Sequence, residues 1–289
     1  NRAKARIKFL VAKLGIDEFK KIVLEERKIL QHDPRWTSYL DELPAYGEKP
    51  KRPPKALNGI SFPKGFEEWR ITNIIKQKQQ GYTVATIALP MGDITSFQMY
   101  KLADIARNFV GDSIRTTVEQ NIVLRWVSEA DLPNLYRGLK NIGLNSGGAG
   151  TIMDITTCPG TDTCKLGIAS SRGLTGELHK RLTAKNYLLD DAVQNLRIKV
   201  SGCFNSCGQH HIADIGFFGN SRTINGYKVP HFQVVLGGQW LNNAGSFGLA
   251  IGSVPSRRIP EVVDRITEYF TKYRNKDENF LEFIPRIGK

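Results

Sequence analysis

Four cysteines, grouped in two pairs, are the residues whose type and spacing most directly indicate chemistry. Five residues separate Cys158 from Cys164, and three residues separate Cys203 from Cys207. Four thiolates can bind zinc, bind an iron–sulfur cluster or close into two disulfides. These are the only cysteines of the 289-residue chain, so its thiols are concentrated where one task would need them.

The spacing within the pairs and the size of the chain make zinc and disulfides less favoured than an iron–sulfur cluster. Structural zinc sites usually separate paired cysteines by roughly two to four residues, so the five-residue gap is wide for zinc. Disulfides are typical of small secreted chains, whereas this chain is large and 40% hydrophobic. A cubane [4Fe–4S] cluster takes its thiolates from more varied loops. The pattern favours a cluster, and zinc or buried structural thiols remain as alternatives.

The residues around the two pairs resemble the sirohaem and [4Fe–4S] signature of the ferredoxin-type nitrite and sulfite reductase family. The resemblance rests on the two cysteine spacings, on Asn205 inside the second loop, on Gly208 just after it, and on the run Ala-Asp-Ile-Gly-Phe at 213–217. Phe204 stands where the family usually has a proline, which removes one turn-forming residue. The match is strongest over residues 154–217.

This resemblance implies roles for the residues of both loops. All four cysteines would ligate the cluster, and Cys207 would also bridge one cluster iron and the sirohaem iron. Asn205 would hydrogen-bond to a cluster sulfur and tune its potential, unless it serves only as a turn former. The backbone of Gly208 is a further candidate for such a bond.

The resemblance also implies an enzyme, a reductase that converts nitrite to ammonia or sulfite to sulfide in six-electron steps. Ferredoxin or a similar acidic protein would donate the electrons, the substrate would be a small oxyanion, and the protein would be cytoplasmic.

A second segment, residues 114–121, resembles the Arg-x-Thr-x-x-Gln pattern of the same family. In that family the pattern occurs once per half of a pseudo-duplicated fold, and the catalytic copy lies in the first half. The present segment looks like the second copy, which makes Arg115 a structural or sirohaem-propionate residue. The alternative for Arg115 is a strand-edge arginine in a solvent salt bridge.

We therefore expect the chain to be the C-terminal half of such an enzyme. Its N-terminus has neither Met nor an apolar signal core, and it reads like the middle of a helix. The cations that hold the anion would lie in the other half. No catalytic residue is assignable in this half, and alone it should be inactive.

The chain is strongly basic, with a net charge of +13 and a pI of about 9.6. Such charge attracts nucleic acid, acidic membranes or acidic proteins. No zinc-finger, RNP or P-loop motif favours nucleic acid, and no apolar run reaches the ~18–20 residues that span a bilayer. The charge therefore favours an acidic protein donor, with a solvated basic face as the alternative.

Two functions of other classes stay open at this point. The chain could be a zinc- or cluster-stabilised basic module that binds nucleic acid, which predicts steeply salt-sensitive binding. It could also be an electron-transfer protein with the cluster alone, which predicts a cluster but no sirohaem.

The sequence predicts an α+β fold, in which a ferredoxin-like half-domain precedes an α/β domain that binds the cluster and sirohaem. Four segments are expected: the helical tail of a preceding domain (1–30), a Pro-rich connector (31–65), the ferredoxin-like, parachute-type half-domain (66–146) and the [4Fe–4S]/sirohaem-binding domain (147–289).

Local patterns predict the elements that hold the cysteines. The alternating residues 197–201 predict a strand that ends just before Cys203. In open α/β sheets, binding sites usually lie at the C-terminal ends of the strands. A helix is expected from Lys165 to Leu182, so that its dipole favours a thiolate at Cys164.

Histidines and basic residues near the loops are further candidate partners of the cofactors. His210 and His211 are expected on a strand, pointing to opposite faces and packing rather than binding metal. Four basic residues near the loops are candidate partners for the sirohaem carboxylates, or else part of a solvated face: Lys165, Arg172, Arg197 and Lys199.

Overall fold

The structure is a computed structural model that describes residues 7–59, 61–185, 190–239 and 246–288. The chain divides into two compact units, residues 1–48 and 49–289. Helices combine with one antiparallel and one mixed sheet, which confirms the predicted α+β class. No helix within the described ranges is long and apolar enough to cross a membrane.

The first unit contains a pair of helices, α1 (Ile7–Leu14) and α2 (Ile16–Ile29), as the sequence predicts. Gly15 separates them with a φ of 82°, a left-handed conformation that glycine adopts without steric cost. α2 carries acidic residues in its first turn and basic residues in its last, which complements the helix dipole. Two 3₁₀ segments follow, Pro34–Trp36 and Ser38–Tyr46.

The second unit begins with a four-stranded antiparallel sheet in the order β1-β2-β4-β3. Its elements in chain order are α3 (Phe66–Asn73), β1 (Ile74–Lys76), β2 (Tyr82–Ile87), α4 (Ser96–Phe109), β3 (Arg115–Thr116), β4 (Ile122–Ser128) and α5 (Leu132–Asn141). α4 begins at a capping box in which Thr95 and Gln98 satisfy each other's backbone amides. Trp69, Leu102 and Leu135 are fully buried between the helices and the sheet.

A five-stranded sheet in the order β5-β6-β7-β8-β9 forms the remainder of this unit. Its strands are β5 (Thr156–Thr157), β6 (Ile198–Ser201), β7 (Ile215–Ile224), β8 (Tyr227–Leu236) and β9 (Leu249–Pro255). β5, β6 and β7 are parallel, whereas β7, β8 and β9 are antiparallel. The helices are α6 (Ser171–Lys185), α7 (Asp191–Gln194), α8 (Ile259–Tyr273) and α9 (Phe280–Ile287).

The parallel part of this sheet determines where the cysteines lie. Parallel strands need a crossover connection, and α6 and α7 lie in the connection between β5 and β6. The C-terminal ends of β5 and β6 therefore lie side by side at one edge of the sheet. Cys158 directly follows β5 and Cys203 lies two residues beyond β6, so the fold brings the two pairs together.

β6 is buried on both faces and separates two environments. Ile198 and Val200 belong to the hydrophobic core that also contains Phe217 and Phe232. Because side chains alternate along a strand, Lys199 and Ser201 point to the other face, and both are buried there.

Two local predictions about the segments beside the cysteines are wrong. The helix after Cys164 begins at Ser171 rather than at Lys165, because the amides of Ile168 and Ala169 bond to Gly202 O in the neighbouring loop instead of starting a helix. His210 and His211 lie in a 3₁₀ turn, not on a strand, since the chain folds back over β6 before β7 begins.

Candidate functional site

The first cysteine loop continues directly from β5. The amide of Cys158 donates to Val200 O at 3.1 Å, which extends the β5–β6 ladder by one residue. A 3₁₀ turn at Gly160–Asp162 follows, and the amide of Cys164 donates to Gly160 O at 3.0 Å. Ser171 Oγ donates to Cys158 O at 2.7 Å and lies 3.5 Å from Cys158 Sγ. The cysteine at the N-terminus of α6 is thus Cys158, not Cys164 as the sequence predicted.

A backbone hydrogen bond joins the two cysteine loops. The amide of Gly202, next to Cys203, donates to Cys158 Sγ at 3.0 Å. In return, Gly202 O accepts from the amides of Ile168 and Ala169 at 2.9 and 3.0 Å. Hydrogen bonds to sulfur tune the potential of a cluster that the sulfur ligates.

Glycines allow the backbones of the two loops to approach closely. A Cβ on Gly202 would lie 2.6 Å from Gly160 Cα, and one on Gly167 would lie 2.7 Å from Gly160 C. A Cβ on Gly219 of β7 would lie 2.2 Å from Gly202 O. Since larger residues do not fit, the glycines hold the loops in one arrangement, which fits the fixed frame that a cluster needs.

The four thiols differ in exposure but share one edge of the sheet. All are free; Cys203 is 7% exposed and Cys158 is half-buried, whereas Cys164 and Cys207 are exposed. In the same two loops, Leu166 and Phe204 leave 66% and 67% of their surface exposed. Large apolar side chains beside exposed thiols are typical of a face that another group covers.

The thiols are not gathered around a single ion. No three His, Cys, Asp or Glu side chains within the described ranges form a group that could hold one metal ion. A structural zinc site would place all four ligands around one ion, whereas a cubane takes one thiolate at each of its irons. Four free thiols carried by two adjoining loops suit the donor set of a cluster.

Gln120, which the sequence analysis did not assign, fixes the end of β5. Its Nε2 donates to Thr157 O at 2.8 Å, and its Oε1 accepts from the Thr157 amide at 2.9 Å. The side-chain amide therefore takes the place of a neighbouring strand, directly before Cys158. Gln120 is the glutamine of the Arg-x-Thr-x-x-Gln pattern, and that pattern was the signal that could have found it.

The neighbouring Asn121 ties the same segment to the cysteine domain. It is buried, accepts from the Leu89 amide at 2.9 Å, and donates to the Asp154 carboxylate at 2.8 and 3.0 Å. Asp154 also accepts from the Gly150 amide at 2.8 Å. Burial raises the pKa of Asp154 above its usual value, and these hydrogen bonds counteract the shift.

Lys199 is buried between β5 and the segment that follows the second cysteine pair, and it is not on an exposed rim. Its side chain is 5% exposed, and Nζ lies 3.2 Å from Gln209 Oε1 and 3.4 Å from Thr156 Oγ1. It lines a cavity of about 210 Å³ together with Glu119, Asp154 and Arg197 among others. Burial lowers the pKa of Lys199 below its usual value.

Ser201 and His210 hold the second loop against β6. Ser201 Oγ accepts from the Gly208 amide at 3.1 Å and lies 2.9 Å from His210 Nδ1. His210 is fully buried and packs on Phe218 and His211. Burial, followed by the proximity of His211, lowers the pKa of His210 to about 3, so the ring is neutral. The Gly208 amide, a candidate donor to a cluster sulfur, donates to Ser201 Oγ in this structure.

Arg172 joins the first cysteine loop to the antiparallel-sheet region. It forms ion pairs with Asp93 and, at 3.0 Å, with Asp162 inside the loop. It also donates to Met91 O at 3.3 Å. Its charge is therefore engaged by two carboxylates rather than presented at a rim.

The structure places the remaining candidates without testing their roles. Arg115 is exposed on β3, the edge strand of its sheet, which is the location expected for either of its two interpretations. Asn205 is exposed between Cys203 and Cys207. Lys165 is exposed next to Cys164.

Two family profiles match the chain. Residues 75–142 match the profile described as the nitrite/sulfite reductase ferredoxin-like half domain. Residues 148–289 match the profile described as the nitrite and sulphite reductase 4Fe-4S domain.

Curated relatives and a solved structure agree with these profiles. The chain is 30% identical to sulfite reductase [ferredoxin] of Mycobacterium tuberculosis (strain ATCC 25618 / H37Rv), over 99% of this chain and 47% of that protein. It is 26% identical to ferredoxin–nitrite reductase of Synechococcus elongatus, over 92% of this chain and 46% of that protein. The structure of the Mycobacterium tuberculosis NirA protein matches with a TM-score of 0.72 and 28% identity, over 99% of this chain and 48% of that one.

The chain spans about half the length of the curated relatives that it matches. The profiles cover the segments that contain the Arg-x-Thr-x-x-Gln pattern and all four cysteines, so they confirm the resemblance seen in the sequence. The chain belongs to the nitrite and sulfite reductase family, and it carries that family's ferredoxin-like half domain and 4Fe-4S domain.

Proposed function

We propose that this chain supplies the cluster-bearing half of a reductase that converts nitrite to ammonia or sulfite to sulfide. The observation that carries the proposal is the pairing of two cysteine loops at the ends of adjacent parallel strands. The 3.0 Å bond from the Gly202 amide to Cys158 Sγ locks these loops together.

In this proposal the four cysteines hold a [4Fe–4S] cluster, and Cys207 also links it to sirohaem. When bound, the cluster stores electrons and the sirohaem iron binds the substrate atom. The exposure of Cys164 and Cys207 leaves both sulfurs accessible from the open edge of the sheet.

An acidic electron donor such as ferredoxin fits the charge of the chain. The net charge of +13 attracts acidic proteins and accelerates their association at low salt. The two relatives described above are named as ferredoxin-dependent reductases. We propose a ferredoxin-class donor for this chain on these two grounds.

Turnover requires cations that hold the substrate anion, and we propose that residues outside this chain provide them. Of the described cations near the cysteines, Arg172 is paired with Asp93 and Asp162, and Lys199 is buried. We therefore expect the 289 residues alone to bind the cluster without reducing nitrite or sulfite. Turnover by the isolated chain would contradict this division of labour.

The test is the metal content and visible spectrum of the anaerobically purified protein, before and after addition of sirohaem. About four irons and four sulfides per chain, with new bands when sirohaem is added, are expected. Cys164→Ser should lower the iron content, and the exposed neighbour change Thr163→Ala serves as the matched control. Stoichiometric zinc without sulfide, together with salt-sensitive binding of nucleic acid, would overturn the proposal. A cluster that never takes up sirohaem, even with the other half present, would mean electron transfer alone.

A further inference from the structure

Lys199 is a buried cation whose counter-charge is not among its direct contacts. Only 5% of the side chain is exposed, and its two hydrogen-bond partners, Thr156 Oγ1 and Gln209 Oε1, are neutral oxygens. Within the part of the chain that the structure describes, no carboxylate forms an ion pair with Lys199. A buried charge without such a partner is costly, so its presence calls for a compensating negative charge nearby.

The charged groups that line the same cavity do not supply a surplus of negative charge. Glu119 and Asp154 attract the ammonium, whereas Arg197 repels it. The Asp154 carboxylate accepts hydrogen bonds from the Asn121 side chain and the Gly150 amide. Two carboxylates and two cations therefore nearly cancel within the cavity.

The contacts of Lys199 lead to both cysteine pairs. Thr156 lies two residues before Cys158, and Gln209 lies two residues after Cys207. Lys199 itself is on β6, the strand that runs into Cys203. One ammonium group thus connects the segments that carry three of the four cysteines, and those cysteines are negatively charged when they ligate metal.

We propose that Lys199 is the buried counter-charge of the cysteine cluster, and that it positions both loops and favours the reduced state of the cluster. This inference rests on the proposed function, because it requires a cluster at the four cysteines. Reduction adds one electron from the ferredoxin-class donor to the cluster, and no bond forms and no proton moves. In a poorly solvated interior a fixed positive charge stabilises that added negative charge, because the effective dielectric constant is low.

The experiment measures the midpoint potential of the cluster by EPR-monitored redox titration, together with iron content. Lys199→Met and Lys199→Gln remove the charge, and Gln keeps a donor for Thr156 and Gln209. Both should shift the potential to more negative values with iron content retained, whereas Lys199→Arg should leave it near the wild-type value. Lys228→Met is the matched control, because Lys228 is exposed on β8 and water screens its charge.

The outcomes separate this inference from the proposed function. If the purified wild-type protein contained no iron and no sulfide, the proposed function itself would be contradicted. A wild-type cluster with an unchanged potential in Lys199→Gln overturns only the inference. An equal shift in Lys199→Arg and Lys199→Gln also overturns it, since the effect would then come from packing. If the neutral variants lose the cluster while Lys199→Arg keeps it, the charge is needed for assembly and the proposal stands; loss in all three overturns it.

Discussion

The two cysteine loops are held by different parts of the molecule. The first loop depends on residues far along the chain, since Gln120 fixes Thr157 and Arg172 pairs Asp162 in the loop with Asp93. The second loop depends on its own strand, since Ser201 of β6 bonds to the Gly208 amide. The conformation of the first loop thus depends on contacts with the antiparallel-sheet region, whereas the second loop is held largely by β6.

The largest expected effect comes from Gly202, where the two loops contact each other. Gly202→Ala places a Cβ 2.6 Å from Gly160 Cα and should separate the loops. Overpacking of this kind costs about 1–3 kcal/mol, and cluster binding should fall with it. Denaturant unfolding and iron content measure both effects. Gly252→Ala is the control, because nothing lies within 4 Å of its added Cβ and its φ is not positive; equal losses in the two variants would contradict the assignment.

The first loop alone should respond to Gln120→Met. This change keeps the length of the side chain but removes both bonds to Thr157. Each buried hydrogen bond contributes about 0.5–1.5 kcal/mol, so we expect a loss of roughly 1–3 kcal/mol. Amide hydrogen exchange should become faster at Thr157 and stay unchanged at Gly208. Faster exchange at both positions would mean that the loops are not held independently.

The second loop alone should respond to Ser201→Ala. The Gly208 amide loses its acceptor and His210 Nδ1 loses its partner, which should cost about 1–2 kcal/mol. Exchange should become faster at Gly208 and not at Thr157, the reverse of the Gln120 result. Ser221→Ala, at an exposed position of β7, is the comparison variant and should have little effect.

The smallest expected effect is a pH dependence carried by His210. Its pKa of about 3 in the folded protein lies below the value of ~6.5 in an unfolded chain, so the unfolded state binds the proton first. The His210 contribution is complete above pH ~6.5 and is lost as pH falls from there toward 3, at up to about 1.4 kcal/mol per pH unit. Unfolding of the cluster-free protein at pH 7.0 and 5.5 measures it.

The comparison for this measurement is His210→Gln at the same two pH values. Asp214 has its pKa raised to about 6 by burial, so its contribution grows as the pH falls and opposes that of His210. Asp214 is present in both proteins, and the difference between them therefore isolates His210. A difference that does not change between pH 7.0 and 5.5 would refute the assignment.

Local sequence patterns predicted most of the elements that carry the cysteines, but not the contacts between those elements. The cysteine spacing, the alternating strand before Cys203 and the α+β class were all readable, because each depends on neighbouring residues. The pairing of Gln120 with Thr157 and of Gly202 with Cys158 was not, because 37 and 44 residues separate the partners. The predicted start of α6 is wrong for the same reason, because the amides of Ile168 and Ala169 donate to Gly202 O.

By itself the sequence determined the four thiols, their two loops and the family to which they point. These features follow from residue type and short spacing, which fix what each segment can bind. Only the tertiary structure decided that Lys199 is buried against Thr156 and Gln209, and that Arg172 is paired with two carboxylates. The sequence alone does not show whether a charged residue is exposed to water or buried in the core, because tertiary packing determines its surroundings.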